Sequence, residues 1–294
     1  MAVTPSPAPT SSALIELQAI YRARTRLREV AEHTPLFHNP ALSDRFGCSI
    51  YLKREDLQVV RSYKIRGAFN KMATLSREQL DRGVVCASAG NHAQGVAFAC
   101  RKLRANGRIY MPAVTPAQKV EKVRSFGREF VQVVLIGDTF DDAYAEAKRA
   151  EEEEGMVFVH PFDDPLIIAG QATVGIEILE DCPDEIDLVL VAVGGGGLLA
   201  GLGSYFRHVS PNTEIIGVEP AGAPAMHESL RQNKIVRLER IDSFVDGAAV
   251  KQVGERNFAI AQEVLSDLVL LEEGKVCSTI LQLYNEEGMV VEPA

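Results

Sequence analysis

From residue 13 onward, stretches with the apolar spacing of a helix alternate with short, continuous apolar runs. Apolar positions three or four residues apart predict helices, at residues 14–30, 67–75, 92–103, 116–126, 140–154, 170–179 and 198–206. The continuous apolar runs predict buried strands, at residues 49–52, 84–87, 108–111, 130–135, 157–160, 188–193 and 214–218. Strands and helices that alternate in this way indicate βαβ units, so we expect an α/β protein with mostly parallel sheets covered by helices on both faces.

Two segments need a separate interpretation. Residues 1–12 are rich in Ala, Pro, Ser and Thr and have no apolar stretch of the kind a signal peptide needs, so we expect a disordered tail. The uncharged run from Leu188 to Phe206 has 19 residues, enough to suggest a membrane span. Its six glycines, four of them consecutive, would break a spanning helix, so we expect no membrane partner.

Composition and charge limit the class of protein. Hydrophobic residues make up 46% of the chain and charged residues 24%, the mixture of an ordinary globular protein. The net charge of −9 argues against nonspecific nucleic-acid binding but still allows a local anion site. The five cysteines are scattered and include no C-x-x-C pair, which fits a reducing compartment, so we expect a cytoplasmic protein.

The first segment with candidate chemistry is SYKIRG at residues 62–67. Lys64 comes just before the helix expected from residue 67, and the positive end of a helix dipole disfavours a charged ammonium. The nearby Arg61 and Arg66 would act in the same direction. A lysine kept partly neutral is a nucleophile suited to forming an imine with a carbonyl compound. A surface lysine in a basic turn is the alternative for this segment taken alone.

The second segment is SAGNHAQG at residues 88–95, between an apolar strand and an amphipathic helix. Ligands bind at the strand ends of parallel sheets, and N–H groups at a helix N-terminus bind a carboxylate or phosphate without net positive charge. Ser88, Asn91 and Gln94 add polar side chains there. An ordinary helix N-cap with a structural glycine accounts for the segment equally well. His92 by itself indicates neither a metal ligand nor a base.

The third segment is the glycine run Gly194–Gly197, between an expected strand and an expected helix. Four consecutive glycines indicate close approach of the backbone to a ligand, and this arrangement makes a phosphate cradle from N–H groups alone. The run also satisfies the permissive dinucleotide-binding fingerprint, with Glu219 downstream, so an NAD-dependent oxidoreductase stays open as an alternative. That alternative gives no role to Lys64 or to residues 88–95.

A reactive lysine, a carboxylate-binding loop and a phosphate cradle together describe pyridoxal phosphate bound as an imine, with an amino acid held by its carboxylate. The same three segments resemble the fold-type II pyridoxal-phosphate enzymes, and among them the branch of threonine ammonia-lyases (threonine dehydratases) and serine racemases. The resemblance covers about residues 14–294, with supporting matches at residues 54–57, 170–173, 218–220, 245–248 and 292–294.

The resemblance implies the tryptophan synthase β-like fold, with two three-layer αβα domains. Residues 13–82 and 161–294 would form the larger, cofactor-binding domain and residues 83–160 a small mobile domain, with the active site between them. The family suggests a homodimer or homotetramer. At Ala294, where this sequence ends, the family continues into a helix and strand with a Ser or Cys facing the pyridine nitrogen. We therefore expect a missing C-terminal end, no regulatory C-terminal domain, and poor activity for this length.

The resemblance also implies roles for particular residues. Lys64 would be the catalytic, Schiff-base lysine, and Asn91 would bind the 3′-oxygen of the cofactor. The substrate carboxylate would be received by Ser88, Ala89, Gly90, Asn91 and His92. The phosphate would be cradled by Gly194, Gly195, Gly196, Gly197 and the N–H of Leu198. Gly247 and Glu292 would lie beside the ring.

The implied reaction is a β-elimination on a small amino acid. The amine of Lys64, freed when the substrate binds, would take the Cα proton, and loss of the β-hydroxyl would lead to a 2-oxoacid and ammonia. L-Threonine would give 2-oxobutanoate, the isoleucine precursor, and L-serine is a second expected substrate. A serine dehydratase or racemase of the same family and a non-catalytic binder are the other possibilities.

Two positions depart from the relatives. In the racemases of the family, the second residue of the loop at residues 88–95 is an acid/base serine, whereas Ala89 has no proton to transfer, so we expect elimination without efficient racemisation. Glu219 and Ala223 match a divalent-cation site of the relatives, but Ala225 replaces the second acidic ligand. We therefore expect weak cation binding or none.

Overall fold

The computed structural model describes residues 12–294, so residues 1–11 of the predicted tail lie outside the described residues. Ser12 is placed, and its hydroxyl donates a hydrogen bond to Glu263 Oε2 (2.8 Å), so the predicted disorder does not extend to this residue.

The helices are α1 (Leu17–Leu27), α2 (Pro40–Phe46), α3 (Lys64–Met72), α4 (Arg77–Arg82), α5 (Asn91–Leu103), α6 (Ala117–Gly127), α7 (Phe140–Glu154), α8 (Pro165–Asp181), α9 (Gly197–Val209), α10 (Ala225–Gln232), α11 (Glu255–Val264) and α12 (Glu273–Glu287). The strands are β1 (Leu36–His38), β2 (Tyr51–Lys53), β3 (Val84–Ala87), β4 (Gly107–Met111), β5 (Val131–Leu135), β6 (Val157–Phe158), β7 (Leu188–Ala192), β8 (Glu214–Pro220) and β9 (Leu265–Leu271).

Four parallel strands form one sheet in the order β5-β4-β3-β6. Successive side chains of a strand point to opposite faces. Accordingly, Val84 and Cys86 of β3 join a core cluster with α5, whereas Val85 and Ala87 join a cluster with α7. Helices therefore cover both faces, and the predicted three-layer arrangement is confirmed for this sheet.

The second parallel sheet, in the order β7-β8-β9, is covered unevenly along β7. Val191 lies in the core with α8 and α9, whereas Leu188 and Leu190 are 44% and 65% exposed. The prediction that both faces of every sheet are covered is therefore wrong at β7. The reason is that β7 is an edge strand whose alternate side chains point away from α8 and α9, and residues 12–294 leave those side chains exposed.

Close packing of helices around glycines positions Lys64 at the start of α3. Where α3 crosses α8, a Cβ on Gly170 would lie 2.6 Å from Gly67 Cα. A Cβ on Gly95, in α5, would lie 3.1 Å from the carbonyl carbon of Lys64. Only glycine allows the three backbones to approach so closely, and Lys64 is thereby fixed against α5.

The fold class α/β is confirmed, and most predicted elements match in kind and position. Helix α8 begins at Pro165 rather than at residue 170, because Asp164 caps its first N–H groups and proline suits the first turn. The sequence reasoning missed β1, α2, α4, α10, α11, β9 and α12. Strand β1 pairs with β2 in a separate, two-stranded antiparallel sheet.

Three further predictions concern the chain as a whole. The four-stranded sheet falls within residues 83–160, but the division into a large and a small domain stays a prediction. None of the helices in residues 12–294 combines the length and the apolar character that crossing a membrane requires. All five cysteines carry free thiols, so none of them forms a disulfide within the chain.

Candidate active site

Lys64 is the first residue of α3 and is half-buried. The helix begins three residues earlier than predicted, so Lys64 lies within its first turn. The Nζ atom donates a hydrogen bond to the carbonyl oxygen of Pro161 (3.2 Å) and lies 5.4 Å from the centre of the Tyr63 ring. The amine is therefore directed towards the segment that follows β6.

The guanidinium of Arg66 is held by carboxylates inside the protein. Its side chain is 1% exposed and binds Glu55 (Nη2–Oε1, 2.7 Å) and Glu177 (Nη1–Oε1, 2.5 Å). Two carboxylates therefore bind the guanidinium, and Glu177 also pairs with Lys53 (2.7 Å). Arg66 ties α3 to α8 next to the lysine.

The loop from Ser88 to Gly90 connects β3 with α5, as predicted. The N–H of Gly90 donates to Ser88 Oγ (3.2 Å), and Gly90 is the N-cap of α5. Because this N-cap has no side chain of its own, it leaves the first N–H groups of α5 uncapped, and these suit a carboxylate. Ala89 is half-buried in the middle of the loop.

The imidazole of His92 faces the core rather than the loop. It is 4% exposed, and its Nε2 donates to the carbonyl oxygen of Val159 (2.9 Å). Burial, together with the charge of Lys64, lowers the pKa of His92 to about 3. Burial likewise lowers the pKa of His160 to about 4, and His160 Nδ1 accepts the N–H of Asp163 (2.7 Å). Both rings are therefore neutral at ordinary pH, and only the backbone of His92 is left to contact a substrate.

Three residues expected around the cofactor ring lie together. Asn91 Nδ2 donates a hydrogen bond to Glu292 Oε1. A Cβ on Gly247 would lie 3.7 Å from Glu292 Oε1 and 4.0 Å from Asn91 Nδ2. Partial desolvation raises the pKa of Glu292, against the effect of the hydrogen bond from Asn91. The structure thus joins residues that are 201 positions apart in the sequence.

The glycine run Gly194–Gly197 leads from β7 into α9. Gly196 is the N-cap and has φ = +89°, a left-handed conformation that glycine adopts without strain. A Cβ on Gly194 would lie 2.6 Å from the carbonyl oxygen of Ala248. Glycine is therefore required at these positions, and the first N–H groups of α9, that of Leu198 among them, have no N-cap side chain. The start of α9 can cradle a phosphate, as predicted.

Phe162 and Asn257 support the glycine run, and the sequence reasoning did not single them out. A Cβ on Gly195 would lie 2.3 Å from the Phe162 ring, and one on Gly197 would lie 3.1 Å from the Phe162 carbonyl oxygen. Asn257 is fully buried and donates from Nδ2 to the carbonyl oxygen of Gly195 (2.7 Å). The apolar spacing of α11, which carries Asn257 and was not predicted, was the available signal.

Glu219 lies at the end of β8, inside the protein. Its carboxylate accepts the N–H groups of Met226 (2.8 Å) and His227 (2.9 Å) at the start of α10. Burial raises the pKa of Glu219 to about 7, against those hydrogen bonds. With both oxygens engaged and no exposed surface, Glu219 is not available to a ribose, which contradicts the NAD-dependent alternative. Ala223 is buried nearby, and no group of three or more His, Cys, Asp or Glu in residues 12–294 is placed to hold a metal.

The three segments singled out from the sequence thus meet in one place, and comparison with known proteins identifies the class. The chain matches the family described as pyridoxal-phosphate dependent enzyme over residues 27–294, and it belongs to that family. The resemblance drawn from the motifs is therefore confirmed, and so is the expected cofactor, pyridoxal phosphate.

Particular relatives are closer in sequence. The chain is 56% identical to the L-threonine dehydratase biosynthetic IlvA of Halalkalibacterium halodurans over 280 residues, which cover 95% of this chain and 68% of that protein. It is 53% identical to the protein of the same name from Bacillus subtilis over 283 residues, covering 96% and 67%. Among solved structures it is similar to the processed form of threonine deaminase isoform 2 from Solanum lycopersicum (TM-score 0.89, 41% identity, covering 99% and 87%). Maize serine racemase is similar as well (TM-score 0.90, 29% identity, covering 95% and 83%).

The residues present fit pyridoxal phosphate on structural grounds as well. The tightly packed glycine run at a helix N-terminus suits the phosphate, and Lys64 supplies the amine. Two buried polar atoms on the segments that carry Lys64 and the start of α5, Ser62 Oγ and Gln94 Oε1, have no hydrogen-bond partner among residues 12–294. Buried polar atoms are normally paired, so these two are available to a ligand.

Proposed function

We propose that this protein is a threonine ammonia-lyase (threonine dehydratase) that removes water from L-threonine, and also from L-serine. The products from L-threonine would be 2-oxobutanoate and ammonia, which places the enzyme in isoleucine and branched-chain amino-acid biosynthesis. The names of the two bacterial relatives, at 56% and 53% identity, support the choice of L-threonine.

One structural observation carries the proposal. The amine of Lys64 donates a hydrogen bond to the carbonyl oxygen of Pro161, and the next residue, Phe162, packs against the glycine run. On its other side, the backbone of Lys64 packs against Gly95 in α5. A nucleophilic amine, a phosphate cradle and a carboxylate-binding helix start are therefore adjacent, as an enzyme acting on amino acids requires.

Each of these parts has a distinct role in the proposed reaction. When bound, pyridoxal phosphate withdraws electrons from the Cα atom of the amino acid. The start of α9 would hold the phosphate, and the start of α5 would hold the substrate carboxylate. Lys64 Nζ would take the Cα proton as general base, and the β-hydroxyl would leave as water. The released enamine would take up water and give the 2-oxoacid and ammonia.

Ala89 favours elimination over racemisation. Racemisation requires a second acid/base group that returns a proton to the opposite face of Cα. In the racemases that the chain resembles, a serine stands at this loop position, whereas the methyl group of Ala89 cannot transfer a proton. The racemase alternative is therefore the weaker one.

The test compares Lys64→Ala with Lys102→Ala, an exposed lysine on α5. Wild type and Lys102→Ala should bind pyridoxal phosphate with a visible absorption band and release 2-oxobutanoate from L-threonine. Lys64→Ala should lose both the band and the activity. Borohydride reduction followed by peptide mapping should place the cofactor on residue 64. A label on any other lysine, or full turnover in Lys64→Ala, would contradict the proposal.

We also propose a cytoplasmic homodimer or homotetramer with a small mobile domain at residues 83–160. The five free cysteines support a reducing compartment. Salt bridges connect Asp141 of α7 with Arg237 (3.0 Å) and Lys251 (3.1 Å), contacts that a closed form of the two domains would make. Sedimentation analysis measures the mass in solution and so tests the homodimer or homotetramer. Hydrogen exchange with and without L-threonine tests whether residues 83–160 move as a domain.

A further inference from the structure

Asn257 occupies an unusual position for an amide side chain. It is 0% exposed, on the first turn of α11, and its Nδ2 donates to the carbonyl oxygens of Gly195 (2.7 Å) and Phe162 (3.2 Å). These two acceptors belong to the glycine run and to the segment that follows β6. One side chain therefore holds together the two pieces of backbone that meet at the proposed phosphate site.

The orientation of this amide is determined by its neighbours. Two carbonyl oxygens face Nδ2, so a flipped amide would place Oδ1 against both of them. The Oδ1 atom has no hydrogen-bond partner among residues 12–294. The site thus uses the donor capacity of Asn257 fully and leaves its acceptor unpaired, which indicates that the two donated bonds are the ones the fold requires.

Asp163 reinforces the same junction from the other side. Its carboxylate accepts the N–H groups of Glu255 (2.9 Å), Arg256 (3.1 Å) and Asn257 (3.3 Å) at the start of α11. The N–H of Gly254 also donates to the Gly195 carbonyl oxygen (3.3 Å). The segment at residues 161–163 and the start of α11 are therefore bound to each other by side chains in both directions.

The same segment reaches the lysine. Pro161 accepts the hydrogen bond from Lys64 Nζ, and Phe162 both packs against the glycine run and accepts from Asn257. A displacement of the glycine run relative to Lys64 would have to break a bond of Asn257. The distance between phosphate cradle and amine, which a single cofactor molecule must span, is set through this residue.

We propose that Asn257 is a positioning residue for cofactor binding. By holding the Gly195 carbonyl, it orients the N–H groups of the glycine run towards the phosphate and fixes their position relative to Lys64. This inference rests on the proposed function, because it takes the glycine run as the phosphate site.

The experiment uses Asn257→Asp and Asn257→Ser, with Asn70→Asp as the matched control. Asn257→Asp keeps the shape but faces the two carbonyls with a carboxylate, and Asn257→Ser removes both donated bonds without adding charge. Asn70 is equally buried; it donates to the carbonyl oxygen of Leu166 (2.7 Å) and accepts from Arg26 Nη1 (3.0 Å), and neither partner belongs to the glycine run. Cofactor affinity is measured by titrating each apoprotein with pyridoxal phosphate and following the visible absorption. Phosphorus NMR of the bound cofactor reports the surroundings of the phosphate.

Both Asn257 variants should raise the Kd for pyridoxal phosphate by about tenfold or more, the effect of losing buried hydrogen bonds. Both should also shift the phosphorus resonance. Asn70→Asp should leave the Kd within about twofold and the resonance unchanged, because its partners Leu166 and Arg26 lie outside the glycine run. Wild-type affinity in Asn257→Ser, with loss confined to Asn257→Asp, would overturn the inference, because repulsion by the introduced charge would then explain the loss. If Asn257→Asp does not fold, Asn257→Ser decides.

A failure of the proposed function gives a different result. In that case wild type itself would bind no pyridoxal phosphate, or would bind it at a residue other than Lys64. Tight binding of the cofactor at Lys64 in wild type and equally in Asn257→Ser would leave the proposed function standing and refute only the role of Asn257.

Discussion

Arg66 and Glu177 form a two-point salt bridge inside the protein, with Nη1–Oε1 at 2.5 Å and Nη2–Oε2 at 2.9 Å. Burial by itself would raise the pKa of Glu177, but the hydrogen bonds and charges of Arg66 and Lys53 outweigh it and hold that pKa below its usual value of 4.5. Lys64 begins the helix that carries Arg66, and α8 carries Glu177. The salt bridge therefore fixes the start of α3 against α8.

We expect Glu177→Gln to lower the free energy of unfolding at pH 7 by about 3 kcal/mol, because a buried guanidinium loses a carboxylate partner. Glu180→Gln is the matched control on the same helix, since Glu180 pairs with Arg24 at a site where both side chains are more than 40% exposed. It should cost less than about 1 kcal/mol. Urea unfolding measures the free energy of unfolding of both variants. Equal losses would show that the buried salt bridge stabilises the protein no more than the exposed one does.

The pH dependence of that difference has a definite sign. A carboxyl group whose pKa is lowered by folding stabilises the folded state above its unfolded pKa, near 4.5, and loses this effect as the pH falls through the folded pKa. The gap between wild type and Glu177→Gln should therefore shrink in acid. A gap that stays constant down to strongly acidic pH would mean that the charge of Glu177 is not what stabilises the fold.

Local patterns predicted the parts of the site but not how they are held together. The run at residues 84–87 is apolar at every position because both faces of β3 are covered, so its strand was evident. Lys64 and the glycine run could be recognised from the sequence because the residues that carry their chemistry follow one another along the chain. The bond from Asn257 to Gly195 spans 62 positions and that from Asn91 to Glu292 spans 201, and no periodicity encodes such pairs.

Gly196→Ala should weaken cofactor binding. At φ = +89° a side chain is strained, and the new Cβ would lie 2.9 Å from Asn257 Cβ and from Met226 Cε. We expect the Kd for pyridoxal phosphate to rise by about tenfold or more, from about 1–3 kcal/mol of strain. Gly274→Ala in α12 is the matched control, because nothing lies within 4 Å of its Cβ position. It should leave the Kd unchanged, and equal affinity of the two variants would place the phosphate elsewhere.

The two buried histidines should make the protein sensitive to mild acid. In the unfolded chain they gain a proton near pH 6.5, whereas the folded protein holds the pKa of His92 at about 3 and that of His160 at about 4. Each ring therefore lowers the stability by about 1.4 kcal/mol per pH unit as the pH falls below 6.5, and Glu219, whose pKa folding raises to about 7, offsets one of the two.

His160→Asn tests this dependence, because the Asn carbonyl oxygen can accept the N–H of Asp163 in place of Nδ1. Urea unfolding between about pH 6 and pH 5 should show a slope that is smaller than that of wild type by about 1.4 kcal/mol per pH unit. His38→Asn, at an exposed position of β1, is the matched surface control. An unchanged slope in His160→Asn would mean that folding does not lower the pKa of His160.

Ala89→Ser should add racemisation to the proposed elimination. A hydroxyl at this half-buried loop position, directly before the start of α5, would supply the proton that the methyl group cannot transfer. General acid–base catalysis by one positioned group contributes about a hundredfold or more, so D-serine formation from L-serine should rise by about that factor. Ala89→Gly changes the same position without adding a proton donor and should form no more D-serine than wild type. Chiral chromatography of the products measures the rates. D-serine formation in wild type as fast as elimination would show that another residue already supplies this proton.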